Sequence, residues 1–182
     1  MEKTKINSPI KQRGFTLIEL MITLTIAVIL ISTTAPSLMS SYQNNKMISL
    51  HNDLLSDLAL ARSTAVTRGN SATLCASNTL GSQCVNNSTN WSHGWLVFND
   101  IDNDGVVDIT ETVLTAKGKP SQIDVITSAA RISFGSDGTA LGFSGEFAFC
   151  DSRGESAKRG LIVSNSGRSR VAEATDIAVT CP

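Results

Sequence analysis

The chain has 182 residues, 41% of them apolar and 17% charged, which is about one domain of ordinary globular composition and excludes a disordered or collagen-like polymer. Its 15 Lys and Arg nearly balance 16 Asp and Glu, so no global field selects nucleic acid, lipid headgroups or another polyanion, and such a partner needs a local patch. The apolar residues are dense near the N-terminus and give way to a Gly/Ser/Thr/Asn-rich remainder, with only 5% aromatics overall.

Residues 1–14 carry Lys3, Lys5, Lys11 and Arg13 against Glu2, and the next cation is Lys46. The positive-inside rule therefore keeps the N-terminus cytoplasmic. From Phe15 to Met39 the only charge is Glu19; at 1.5 Å per residue a helix of that length reaches about 37 Å, enough for a hydrocarbon core of about 30 Å. Residues 15–39 are thus expected to form a transmembrane helix. A secretory signal would end in small residues and a cut, which Thr33-Thr34-Ala35-Pro36 imitates poorly.

The run Gly14-Phe15-Thr16-Leu17-Ile18-Glu19-Leu20 resembles the class III leader junction of type IV pilins and type II secretion pseudopilins. The resemblance implies that prepilin peptidase removes the leader 1–14 by cutting after Gly14, that Phe15 becomes N-methylated, and that the apolar helix stays in the inner membrane with a periplasmic head. It also implies that Glu19, a carboxylate costly in lipid, recruits the subunit into a filament of other pilins or pseudopilins by neutralising a Phe15 amine. The alternative for Glu19 is a carboxylate snorkelling to the interface. Pro36 lacks an amide hydrogen and is expected to kink the helix.

Beyond the membrane, Met47, Leu50, Leu54, Leu55, Leu58, Ala61 and Ala65 recur at helical spacing. Residues 40–70 are therefore an amphipathic continuation of the helix, closed by Gly69-Asn70. In this frame His51 is a solvated helix residue. Residues 71–182 form the head, with strands expected near 72–76, 94–99, 112–116, 123–127, 131–134, 146–150, 160–164, 169–173 and 176–180, and a loop over 77–90. The fold class is α+β, the pilin lollipop: a long N-terminal helix packed on a C-terminal antiparallel β-sheet head.

Cys75, Cys84, Cys150 and Cys181 all fall in the part expected in the periplasm, where disulfides persist. Local order favours Cys75–Cys84 and Cys150–Cys181 among three connectivities. Chain entropy assigns about 2.7 and about 3.7 kcal/mol to the two loops. Zinc, with His93 as a third ligand, lacks the usual spacing.

Asp100-Ile101-Asp102-Asn103-Asp104-Gly105, with Glu111 six residues after the glycine, satisfies the spacing of an EF-hand-type calcium loop. The context does not, because a strand precedes it and no helix follows; Asp and Gly also suit a solvated β-connection. No metal and no cofactor are therefore assigned, with calcium at Asp100, Asp102, Asp104 and Glu111 as the alternative.

The last notable cluster is basic: Arg153, Lys158, Arg159, Arg168 and Arg170 against Glu155, in a chain that without its leader has 11 bases and 15 acids. Asn165-Ser166-Gly167 reads as a hairpin turn, after which Arg168 and Arg170 point to one face. Their planar forks suit phosphate oxygens, and Gly167 would admit a ligand backbone. Gly167-Arg168-Ser169-Arg170 resembles the GRxR motif of FimT-type minor pilins within the FimT/GspH group, which implies sequence-independent binding of double-stranded DNA for uptake during natural transformation. No Phe, Trp, Tyr or His lies between Asp151 and Pro182, so base stacking has no platform there. The alternative is an H-type pseudopilin of a type II secretion system, in which the arginines are solvated tip residues. No nucleophile motif or phosphate loop suggests an enzyme, and Trp91 and Trp95 read as packing residues.

Overall fold

The computed structural model describes residues 14–85 and 87–182, apart from the side chains of 35 and 36. The leader expected over 1–14 lies outside the described residues except for Gly14. The chain divides into two compact units, Met1–Tyr42 and Gln43–Pro182, and helix α1, Leu17–Arg68, runs from the first into the second.

Thr16 starts α1 by accepting the Glu19 backbone N–H at 3.2 Å on Oγ1, an N-cap with an acid in the first turn where the helix dipole favours it. In the first unit the large apolar side chains from Phe15 to Met39 are exposed. The helix is long and apolar enough to cross a membrane by length and composition. Its hydroxyls bond inward: Thr23 to the Leu20 carbonyl at 2.9 Å, Thr25 to Ile22 at 2.8 Å, Ser32 to Ile29 at 2.8 Å and Thr34 to Leu30 at 2.9 Å. A polar side chain surrounded by hydrocarbon needs such a partner. The helix continues through Pro36.

In the second unit the stripe predicted from spacing is the buried face of the helix: Met47, Leu50, Leu54, Leu58, Ala61 and Ala65 are buried and Leu55 partly so. Gly69 follows at φ +70 and donates to the Ala65 carbonyl at 2.9 Å, the left-handed stop that glycine adopts without strain.

The strands are β1 Ser71–Ala76, β2 Trp95–Asp100, β3 Val113–Lys117, β4 Asp124–Thr127, β5 Arg131–Phe134, β6 Gly145–Cys150, β7 Arg159–Val163 and β8 Ser169–Ala172. They form two four-stranded antiparallel sheets rather than one small sheet, in the orders β3-β2-β1-β5 and β4-β6-β7-β8. One core joins them to the helix stripe, with Leu74, Trp95, Val97, Ile132 and Phe134 from the first sheet and Val125, Phe147, Phe149, Leu161 and Val163 from the second. Both tryptophans are fully buried as expected, with Trp95 Nε1 donating to Asp57 Oδ2 at 2.7 Å.

The opposite faces are covered too. Cys75, Leu96 and Phe98 pack with Cys84 and Val107 beneath the loop that the Cys75–Cys84 bridge closes. Ala148, Cys150, Ala172 and Ile177 pack with Val179 and Cys181 beneath a C-terminal tail held by Cys150–Cys181. Both pairings are the local ones read from sequence order, and each staples a loop onto one sheet.

The ninth strand, expected over 176–180, is absent; a 3-10 turn, Ala174–Asp176, precedes an unpaired tail. The tail's backbone groups are taken by side chains instead of a ladder. Ala178 donates to Glu146 at 2.8 Å, Cys181 donates to the Glu155 carboxylate, and the Val179 carbonyl accepts Lys158 Nζ at 3.0 Å. Buried backbone groups need partners, but a β-prone sequence does not say which kind.

His51 is also corrected: it is buried, not solvated. It sits four residues after Met47 and three before Leu54, on the apolar stripe, with Nε2 3.2 Å from the Gly160 carbonyl and its ring 5.3 Å from that of Phe149. Burial holds the imidazole below its ordinary value of 6.5, and the Arg159 charge adds to this against the opposing Gly160 and Asn52 contacts. The unfolded chain therefore takes up a proton as pH falls through 6.5 while the folded chain resists it. Stability from this group is complete above that value and declines below it. Thermal melts from about pH 7.5 down to about pH 5.5 should show a falling midpoint, and His51→Gln should flatten that dependence; equal slopes in the two proteins would contradict it.

Candidate functional site

The basic cluster is carried by the β7–β8 hairpin and the segment before it. Ile162 pairs with Arg170 and Val163 with Ser169. The Ser164 N–H donates to the Arg168 carbonyl at 3.0 Å, and the Gly167 N–H to the Ser164 carbonyl at 2.8 Å. The turn is Asn165-Ser166-Gly167, as the sequence suggested. Leu161 and Val163 face the core, so alternation puts Arg168 and Arg170 on the other face, roughly 6.8 Å apart along the strand direction.

Both arginines are exposed. Among the described residues the Arg168 guanidinium has no ion pair or hydrogen bond. Arg170 Nη1 lies 3.7 Å from Asp176 Oδ2, with the two side chains 54% and 48% exposed. An ion pair that long and that wet is worth about 0–1 kcal/mol, little enough for a phosphate to displace.

The rest of the cluster is engaged in holding the fold. Arg153 Nη2 lies 2.6 Å from Asp151 Oδ2, its Nε donates to both oxygens of that carboxylate, and its Nη1 reaches Asn44 at 2.9 Å. The fork holds the Asp151 carboxyl below the usual range. Lys158 is buried, 2.7 Å from Glu155 and bonded to the tail at Val179. Arg159 is half-buried and close enough to His51 to repel its proton. Arg153 and Lys158 therefore drop out of the surface patch expected from the sequence.

Gly167 is also reassigned. It is buried at φ +73, and a Cβ there would overlap the Gly138 carbonyl. The close approach that glycine permits is taken by the protein's own 135–139 loop rather than left open to a ligand. Sequence reasoning missed the residue that joins these two loops. Arg62, on the exposed face of α1, donates from Nε to the Gly138 carbonyl at 2.9 Å and from Nη2 to the Ser166 carbonyl at 3.3 Å. Its only sequence signal is a cation beside the apolar stripe near the end of a helix. It adds a positive charge behind the tip that holds Arg168.

Gly167→Ala should destabilise the head by a few kcal/mol, through the positive φ and the overlap together. Denaturant melts would check this, and an unchanged midpoint would contradict the packing described.

The acidic connection follows β2. Asp100 is completely buried on the face of its sheet away from the helix, where Oδ2 accepts Thr73 Oγ1 at 2.6 Å and Thr73 also bonds Ser133. One carboxylate oxygen each from Asp100, Asp102 and Asp104 lies within 4.8 Å of the others. Glu111 stands apart from this group: its oxygens accept the N–H groups of Ile101 at 2.7 Å and Asp108 at 3.1 Å, closing the loop on its start. Arg131 bonds the Asp104 and Asn103 carbonyls from one side.

Comparison with known proteins gives concordant results. A family model described as Type II transport protein GspH matches residues 51–167, more than half the chain. The match ends one residue before Arg168. A second model, the prokaryotic N-terminal methylation motif, matches residues 10–35. No curated protein sequence matches. Among solved structures, a crystal structure of the type IV minor pilin FimU of Pseudomonas aeruginosa superposes with a TM-score of 0.58 at 19% identity, covering 77% of this chain and 98% of the crystallised one. A second crystal form of FimU gives 0.54 at 19% identity, covering 74% and 98%. At that identity the likeness is one of fold.

Proposed function

The chain belongs to the GspH family and carries a prokaryotic N-terminal methylation motif, and from that premise we propose that it is a FimT-like minor pilin whose C-terminal hairpin binds duplex DNA without sequence preference. The helix anchors the subunit in the inner membrane with the head on the periplasmic side. Prepilin peptidase cuts after Gly14, Phe15 is methylated, and Glu19 pairs with a neighbouring subunit's N-terminus on entry into the filament.

One observation supports the DNA reading above all: Arg168 and Arg170 share one face of an exposed tip, with only the long contact to Asp176 competing. Two phosphate contacts would give a salt slope of about −1.8 on duplex DNA, half of what four such contacts would give. Attachment that weak works through repetition, because subunits spaced along a filament add avidity to a poor site. Phosphate contacts fix position and carry no base information.

The test is retardation of a random-sequence duplex by the full chain in uncharged detergent at low salt. A shifted band is expected, and free migration at every protein concentration would retire the reading. A second reading, an H-type pseudopilin of a type II secretion system, is equally consistent with the family match. It gives those side chains no partner and predicts no shift.

A further inference from the structure

We propose that the loop after β2 is a calcium site built on the carboxylates of Asp100, Asp102 and Asp104. Two features point to a cation. The first is convergence: ligand oxygens about 2.4 Å from one calcium ion lie no more than about 4.8 Å apart, and the three carboxylates offer oxygens within that separation of one another.

The second is an orphan. Asp100 is fully buried, and while Oδ2 is bonded by Thr73, Oδ1 is buried with no hydrogen-bond partner. Leaving a buried carboxylate oxygen unsatisfied is costly, and a hard divalent cation is the partner that three carboxylates select. Among the described residues none of the three is in an ion pair; Arg131, the cation against this loop, bonds the backbone carbonyls of Asp104 and Asn103 instead.

The backbone agrees with the spacing. Asp100, Asp102 and Asp104 occupy the first, third and fifth places of a twelve-residue loop, and Gly105, in the sixth, takes φ +79 as the sharp turn of such loops requires. Flanking helices are absent, but a strand does their work here. Strand β2 fixes Asp100 through its pairing with β1 and its bond to Thr73. Glu111 keeps the loop closed through Ile101 and Asp108, so the core of the site is three side chains with water completing the shell. The expected affinity is that of extracellular modules, with Kd on the order of 10⁻⁴–10⁻³ M.

The full chain in uncharged detergent, stripped with EDTA, is titrated calorimetrically with CaCl₂ and melted with and without the ion. Saturable heat and a raised melting temperature are expected. Asp102→Asn with Asp104→Asn, both exposed and so without risk to the core, should weaken binding by about tenfold or more while leaving the ion-free melt in place. No heat and no shift at about 10 mM calcium would overturn the site. So would an equal response in the double variant, which would put the ion elsewhere, and an equal response to magnesium would overturn its assignment to calcium.

Discussion

Arg168→Gln with Arg170→Gln should abolish retardation of duplex DNA at low salt while the melting temperature stays within experimental scatter. Both side chains are exposed, and the double change breaks one interaction, the long Arg170–Asp176 pair, so the fold gives up about 0–1 kcal/mol. Binding, by contrast, loses both guanidiniums that the tip presents. Removing Arg153 should do the reverse. That side chain is committed to Asp151 and Asn44, and Arg153→Gln strands a nearly buried carboxylate, so it should lower stability with little direct effect on DNA. The opposite signatures separate a surface role from a structural one, which a general loss of positive charge would not.

Cys150→Ser with Cys181→Ser should lower unfolding stability by about 3.7 kcal/mol if the chain-entropy account of the larger loop holds. The measured cost also includes the tail's cover over Ala148 and Ala172. Denaturant unfolding gives the number. The same change loosens the tail that carries Asp176, the partner of Arg170, so DNA binding should be unchanged or tighter. Weaker binding would mean that the tail itself makes the contact. Cys75→Ser with Cys84→Ser opens a shorter loop and should cost about 2.7 kcal/mol.

Much of this architecture was legible in the residues because it rests on local periodicity. The stripe from Met47 to Ala65, the Gly69 stop, eight of the strands and both bridges follow from spacing along the chain. What was not legible depended on distant pairing. Nothing in the strand sequences says that Asp124–Thr127 joins Gly145–Cys150 in a second sheet, and β2, buried on both faces, shows no alternation to tell which face meets the core. The tail after Asp176 has strand composition, but Glu146, Glu155 and Lys158 capture its backbone first. His51 looked polar and therefore exposed, although its position on the stripe could have warned otherwise.

In the basic cluster, Asp151, two residues before Arg153, is the acid that neutralises it. For the acidic loop, the spacing was plain, but the burial of Asp100 depends on β1 and β2 meeting and could not be read from either strand alone.

Duplex binding at the hairpin tip is measured most directly as the affinity of the full chain for a fluorescent random duplex over a series of salt concentrations, compared with the Arg168→Gln, Arg170→Gln protein. A log–log slope of about −1.8 is expected for the native chain, and no measurable binding for the variant. Equal affinity and equal slope in the two proteins would contradict it.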